Sequence, residues 1–177
     1  MGLSRRAAGM ALDLLGAQVG WFACVLSAAQ GYGWMGVLCA AGLVVLYVWR
    51  VAERMRAALL VAVIALAGWM WEAVPIATGS LHYANGILVA GTAPYWLSAM
   101  WALFATQLDG PLRWLRGRNW VAALLGSIGG PLSFHAGAAL GAVQFVAPDR
   151  ADMLLAGGWA VLLPAAVRFS AWLDHVT

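Results

Sequence analysis

The chain has 177 residues, of which 64% are hydrophobic and 10% charged, with a mean hydropathy of +0.83. Soluble domains carry nearer half apolar and a quarter charged residues, and a chain this apolar lacks the polar surface to cover a water-soluble globule. All ten basic residues are Arg, and the net charge is +3. They sit at the ends of apolar runs, where headgroups and topology account for them, so nucleic acid is not an expected partner.

Six apolar runs follow one another, at 7–29, 32–49, 57–77, 94–108, 119–147 and 153–173. A crossing helix needs about 20 residues at 1.5 Å rise each, so the expectation is an all-α, six-span transmembrane bundle forming one integral domain, 1–177. In the first run, Ser4-Arg5-Arg6 and the Ser-Ala-Ala at 27–29 imitate an export signal and its cleavage site. Everything after residue 30 is also membrane-like, so a retained first span is expected. Asp13 shares a face with Gly16, Ala17, Gly20, Cys24 and Ser27. Gln18 lies off this seam and Trp21 on its shoulder. Cys24 and Cys39 have no His or Cys at ligand spacing and read as small buried hydrophobes.

The link RVAERMR carries Glu53 as a solvated charge. In the third run Glu72 shares a small-residue face with Val61, Ala65, Gly68 and Pro75. A lipid-exposed carboxylate there costs roughly 2–3 kcal/mol or more, so Glu72 must pair, take a proton or face a cavity. It is the first candidate for acid–base chemistry. The link at 78–93 contains Asn85-Gly86, a hairpin signal; an interfacial or re-entrant segment is an equal alternative. In the fourth run Ser98, Trp101, Ala105 and Asp109 form a stripe, with Tyr95 near its start. Asp13 and Asp109 lie within reach of Arg113 or Arg116 as interfacial ion pairs.

The fifth run holds GSIGGPLSFHAGAALGA, residues 126–142. Gly126, Gly130, Gly137 and Gly141 fall on one helical face, where small-xxx-small spacing lets another backbone approach closely. Ser133 and Gln144 edge that face. Pro131 removes a backbone donor, which predicts a span broken near Gly130-Pro131, either as a kinked packing helix or as a ligand-lining break. His135 points away from the glycines. One histidine without partners cannot hold zinc, and it reads as a passenger, second to Glu72 as a catalytic candidate.

Arg5, Arg6, Arg50, Arg54, Arg56, Arg113, Arg116, Arg118 and Arg168 fall on one side of this topology and Arg150 on the other. The positive-inside rule then puts both termini in the cytoplasm. Trp34, Trp49, Trp114, Trp120 and Trp172 sit near span ends, as an interfacial belt does.

Two stretches, GAQVGWFACVLSAA (16–29) and ALFATQLDGPLRWLRGRNWVAALLGSIGGPLSFHAGAALGA (102–142), resemble a family of small bacterial inner-membrane proteins described only as a domain of unknown function. The resemblance implies a multi-pass inner-membrane protein with no established activity. Its members often lie among genes for lipid-modifying enzymes, which points toward lipids. Asp13 and Asp109 stand where the family usually has Asn, Glu72 where it has Asp, and Ser133-Phe134-His135 replaces a more common Ala-Tyr-apolar run.

No hydrolase elbow, zinc-protease, phosphate-loop or Cys-x-x-Cys motif is present, so no metal or cofactor is expected and enzymatic activity is disfavoured. The preferred reading is a protein that binds or translocates a hydrophobic small molecule or lipid. Gln18, Trp21, Glu72, Tyr95, Trp101, Ser133 and Gln144 are its candidate lining, and Gly16, Gly20, Gly126, Gly130, Pro131, Gly137 and Gly141 its packing residues. The alternatives are a lipid-modifying enzyme using Glu72 with His135, His82 or Tyr95, and a scaffold for another membrane enzyme. Membrane lipids, a second copy of the chain or such an enzyme are the expected partners.

Overall fold

The computed structural model describes the backbone of residues 2–176 and the side chains of residues 8–176. Arg5 and Arg6, used above for orientation, lie outside the described side chains. Six helices follow in order: α1 (Gly2–Ala29), α2 (Gly33–Arg50), α3 (Arg54–Ala77), α4 (Tyr95–Ala105), α5 (Asn119–Ala139) and α6 (Pro148–Val176). A single 3-10 turn at Arg113–Leu115 and two short strands, β1 (Leu81–His82) and β2 (Gln144–Phe145), complete the described elements.

Five helices are long and apolar enough to cross a membrane; α4 is not. Its 11 residues rise about 16 Å against a hydrocarbon core of about 30 Å. The expected fourth span at 94–108 is therefore a short helix continued by turns. Large apolar side chains face outward along the long helices, among them Leu15, Val19 and Phe22 on α1, Leu38 and Val45 on α2, and Leu66 and Met70 on α3. Such a surface is stable against hydrocarbon and unstable against water.

The helices pack in sequential pairs, α1 with α2, α3 with α4 and α5 with α6. Glycines set how closely they approach. A Cβ on Gly36 of α2 would stand 2.4 Å from the Cys24 Cα of α1, and one on Gly68 of α3 would stand 1.9 Å from the Trp101 ring of α4. Cys24 and Cys39 are free thiols. Asp13 pairs with Arg50, Arg56 with Asp109, and Arg116 with Asp174. These contacts bring the start of α1, the end of α2, the start of α3 and the end of α6 to one end of the bundle. Both ends of the described chain lie there.

Span five departs from its expected form. α5 runs through Gly130 and Pro131 as one helix. The same holds for α3 and α6, which run through Pro75 and Pro164 although Val74 and Leu163 precede them. Breaking the helix inside a bilayer would strand further backbone groups without partners. The chain turns instead at Gly141, whose φ of +86° belongs to the left-handed region. Gly141 N donates to Ala138 O (2.9 Å) and Ala142 N to Gly137 O (3.0 Å), the Schellman closure of a helix. α3 ends in the same way at Gly79, through bonds to Ile76 O and Pro75 O.

Residues 140–147, expected to continue the span, instead lead into β2. Leu81 pairs with Phe145 and His82 with Gln144, antiparallel. The Asn85-Gly86 signal thus makes no hairpin; its neighbour strand comes from the far side of α5. Ser80 anchors the bridge, its carbonyl accepting from Val146 N (3.0 Å) and its hydroxyl from Arg150 Nε (2.9 Å).

Candidate functional site

Four helices converge around Glu72. Gly126 and Gly130 of α5 leave room for Trp159 of α6, since a Cβ on either would lie 2.2–2.3 Å from its backbone oxygen or ring. Trp159 stacks on Trp101 of α4 with centroids 4.6 Å apart and planes 11° from parallel. Phe104 meets both rings edge-on at 5.4 Å. Trp101 Nε1 then donates to Glu72 Oε1 at 3.1 Å. The glycine face of α5 therefore acts through two indoles on the position of a carboxyl three helices away.

Glu72 is 1% exposed, and its Oε2 has no hydrogen-bond partner. It lines a cavity of about 270 Å³. Gln18, Trp21, Trp101 and Ser133 line the same cavity, brought from α1, α4 and α5. Trp21 Nε1 donates to Ser133 Oγ at 3.1 Å, tying α1 to α5 across one side. Leu14 and Gln18 line the cavity and are also exposed, which marks its mouth on α1. Gln18 lies near the middle of the Ala8–Ala29 helix segment that is long and apolar enough to cross a membrane.

Tyr95 and Gln144 are not in this lining. Tyr95 opens α4 beside Gly33, and Gln144 is an exposed strand residue paired with His82. His135 is exposed, stacked on Phe145 at 4.4 Å, with its Nε2 2.9 Å from Asp152 Oδ1. Neither His135, His82 nor Tyr95 is brought to Glu72. Among the packing candidates, a Cβ on Gly20 would stand 2.4 Å from Leu103, whereas one on Gly16 or Gly137 would meet its nearest neighbour at ordinary contact distance, 3.6 or 3.7 Å, and Gly141 lies beyond the helix.

Residues that sequence patterns do not single out complete the walls. Tyr83 comes from the α3–α4 link, Gln107 from the turn after α4, and Trp159 from α6. Each has a buried polar atom without a partner: Tyr83 Oη, Gln107 Oε1 and Trp159 Nε1. Burial pushes the Tyr83 phenol well above its usual range, and the nearby Glu72 carboxyl adds to the shift, so the phenol stays a neutral donor. Gln107 Nε2 donates to Asp13 O (3.1 Å) and Thr106 Oγ1 (2.7 Å). A backbone carbonyl only accepts, which fixes the amide and leaves its oxygen without a donor.

The opposite end of the bundle buries charge differently. Arg56, 7% exposed, donates to Asp109 and to Ser170 O (2.8 Å) and pairs with Asp174. Asp109 Oδ1 also accepts from Arg116 Nη2 (2.8 Å) and Ser170 Oγ (2.6 Å). Burial alone would raise the Asp109 carboxyl, but hydrogen bonds from Arg56 and Ser170 with the charges of Arg56 and Arg116 outweigh it and hold it below its usual value. The partners of Asp13 and Asp109 are thus Arg50, Arg56 and Arg116, while Arg113 reaches Asp174 at 3.8 Å.

Among the described residues no three His, Cys, Asp or Glu side chains are placed to hold a metal ion. No curated protein and no solved structure matches the chain. With five helices fit to cross a membrane, and with a family match over residues 10–165 that leaves out only the start of α1 and the last turns of α6, the chain belongs to the family described as "Protein of unknown function (DUF2878)".

Proposed function

We propose that the protein binds a hydrophobic small molecule or a lipid in the Glu72 cavity and passes it within or across the inner membrane. One observation carries this reading: a cavity at membrane depth whose walls are mostly apolar and aromatic yet hold four buried polar groups with unmet hydrogen bonds. A core built only for stability would satisfy such groups or replace them with apolar ones. Ligand sites are concave and apolar with a few converging polar groups. In this reading the arginine-rich end faces the cytoplasm, α4 and its flanking turns complete a sixth crossing, and the ligand enters past Leu14 and Gln18 of α1.

Organic extraction of the protein purified in mild detergent, followed by mass spectrometry, tests the proposal. The wild type should carry a hydrophobic molecule in a stoichiometric amount that differs from the bulk membrane profile. Gly137→Phe, which adds a ring to the cavity wall at a position with room beside it, should lose it. Identical bulk-lipid profiles from both proteins would sink the reading.

A further inference from the structure

The polar complement of the cavity states which charge it accepts. Among its described lining residues there is no Arg and no His, and the chain has no Lys. An anionic head, whether carboxylate or phosphate, would meet no cation there and would face Glu72. Of the four unpartnered groups, the Glu72 and Gln107 oxygens accept, while Tyr83 Oη and Trp159 Nε1 can donate to a polar atom elsewhere on the ligand. Trp21, Trp96, Trp101, Phe104, Phe134 and Trp159 line the walls, and aromatic rings attract a cation that reaches a face and offer an anion nothing comparable. A neutral ligand would leave the Glu72 carboxyl as it stands. A cation would supply the counter-charge that this buried site otherwise takes only from a proton.

Building on the reading of the cavity as a ligand site, we propose that it takes a lipophilic organic cation, an amine or quaternary ammonium with an apolar body. The charge sits beside Glu72 Oε2, and ligand and proton occupy this carboxyl alternately. The exchange balances as Glu72–COOH plus L⁺ giving Glu72–COO⁻·L⁺ plus H⁺, the proton leaving to water. One carboxyl cannot hold both, so cation uptake and proton release are coupled one to one.

The surroundings leave Glu72 as the group that titrates with the ligand. From the α3–α4 link the facing group is Tyr83, held as a neutral phenol. α4 faces it with Trp101, and α6 with Trp159, neither of which titrates. On α3 itself the next charged residue is Arg56, at the far end of the helix and committed to Asp109 and Asp174. Asp13 of α1 is paired with Arg50 at that same end. His135 of α5 pairs with Asp152 of α6 outside the cavity.

Benzyltrimethylammonium and its carbon isostere neopentylbenzene test the inference, with binding to protein in neutral-lipid nanodiscs followed by tryptophan fluorescence. The ammonium is permanently charged, so any pH dependence belongs to the protein. Its affinity should rise with pH, by up to tenfold per unit where Glu72 is mostly protonated. Calorimetry in buffers of different ionisation enthalpy should show one proton released per ligand. Glu72→Gln should lose the pH dependence, the proton release and at least tenfold in affinity, and Glu72→Asp should keep all three effects in part. A pH-independent affinity, equal binding of the isostere, or an unchanged Glu72→Gln would overturn the cation assignment. The two readings fail separately. If neopentylbenzene binds in a way that Gly137→Phe abolishes while the ammonium does not bind, only the cation assignment falls. If neither probe binds, or filling the cavity changes nothing, the ligand-site reading falls with it.

Discussion

The two ends of the bundle bury charge in opposite ways. Around Asp109, two arginines, a serine hydroxyl and a second aspartate meet within one network, and Asp109 alone accepts four hydrogen bonds. Around Glu72, one indole donates to one oxygen and the other oxygen has nothing. Burying an ion pair costs desolvation that only good geometry and hydrogen bonding offset; the Asp109 carboxylate meets that condition with both oxygens bonded, while Arg56 Nε and Arg116 Nε beside it have no hydrogen-bond partner. Leaving a polar atom buried and unmet costs about 1–3 kcal/mol, with no structural return. The first arrangement ties helix ends together, whereas the second leaves a buried oxygen unbonded, the feature on which the proposed ligand site rests.

The largest blow to this contrast should come from Arg56→Ala. It leaves Asp109 and Asp174 short of a buried partner and should cost about 3–5 kcal/mol, read as a lowered unfolding temperature in detergent. Gly130→Leu should follow, at about 1–3 kcal/mol from overpacking against Trp159, with a shift in tryptophan emission as the Trp159–Trp101 stack is disturbed. Acid should act on the Asp109 end next. A carboxyl held below its ordinary 3.8 contributes stability that is complete above that pH and lost as pH falls through the lower folded value. An acid titration of unfolding temperature should therefore lose its low-pH decline in part in Asp109→Asn.

Glu72→Gln keeps the shape and an oxygen for Trp101, so it should change stability by less than about 1 kcal/mol. A loss as large as that of Arg56→Ala would erase the distinction between the two ends. His135→Ala should be smallest, within about 0.5 kcal/mol, because its pairing with Asp152 is half exposed on both sides.

Hydrophobic run length located all six helices, because hydrocarbon imposes one length scale on every crossing. It failed where other physics decides: α4 is shorter than its apolar run, and the last turns of the fifth run leave the helix at Gly141. Proline misled at residue 131 because an internal proline does not by itself break a helix here: α3 and α6 also run through Pro75 and Pro164. Glu72, Trp101, Gln18, Trp21 and Ser133 stand out in the sequence as polar or aromatic residues at unusual depth, and the fold brings them to one cavity. Gln107 and Trp159 also lie within apolar runs, but nothing in their spacing ties them to Glu72, and Tyr83 lies in a link. Tyr83 reaches the cavity only through the β1–β2 bridge, a pairing between segments more than 60 residues apart, and no local pattern encodes that. The role of Gly126 and Gly130 was legible as close packing; its target, an indole stacked over the site, was not.

The hydrogen bond between Trp21 and Ser133 has a consequence for measurement. It closes one side of a cavity whose exposed rim residues, Leu14 and Gln18, lie within the span of α1 rather than at its ends. Under the proposed function a ligand reaches this rim from the acyl-chain phase, so its driving concentration is a mole fraction in the bilayer. Dissociation constants quoted in aqueous molarity should then drift in proportion to the lipid added. Values expressed per mole of lipid should stay fixed.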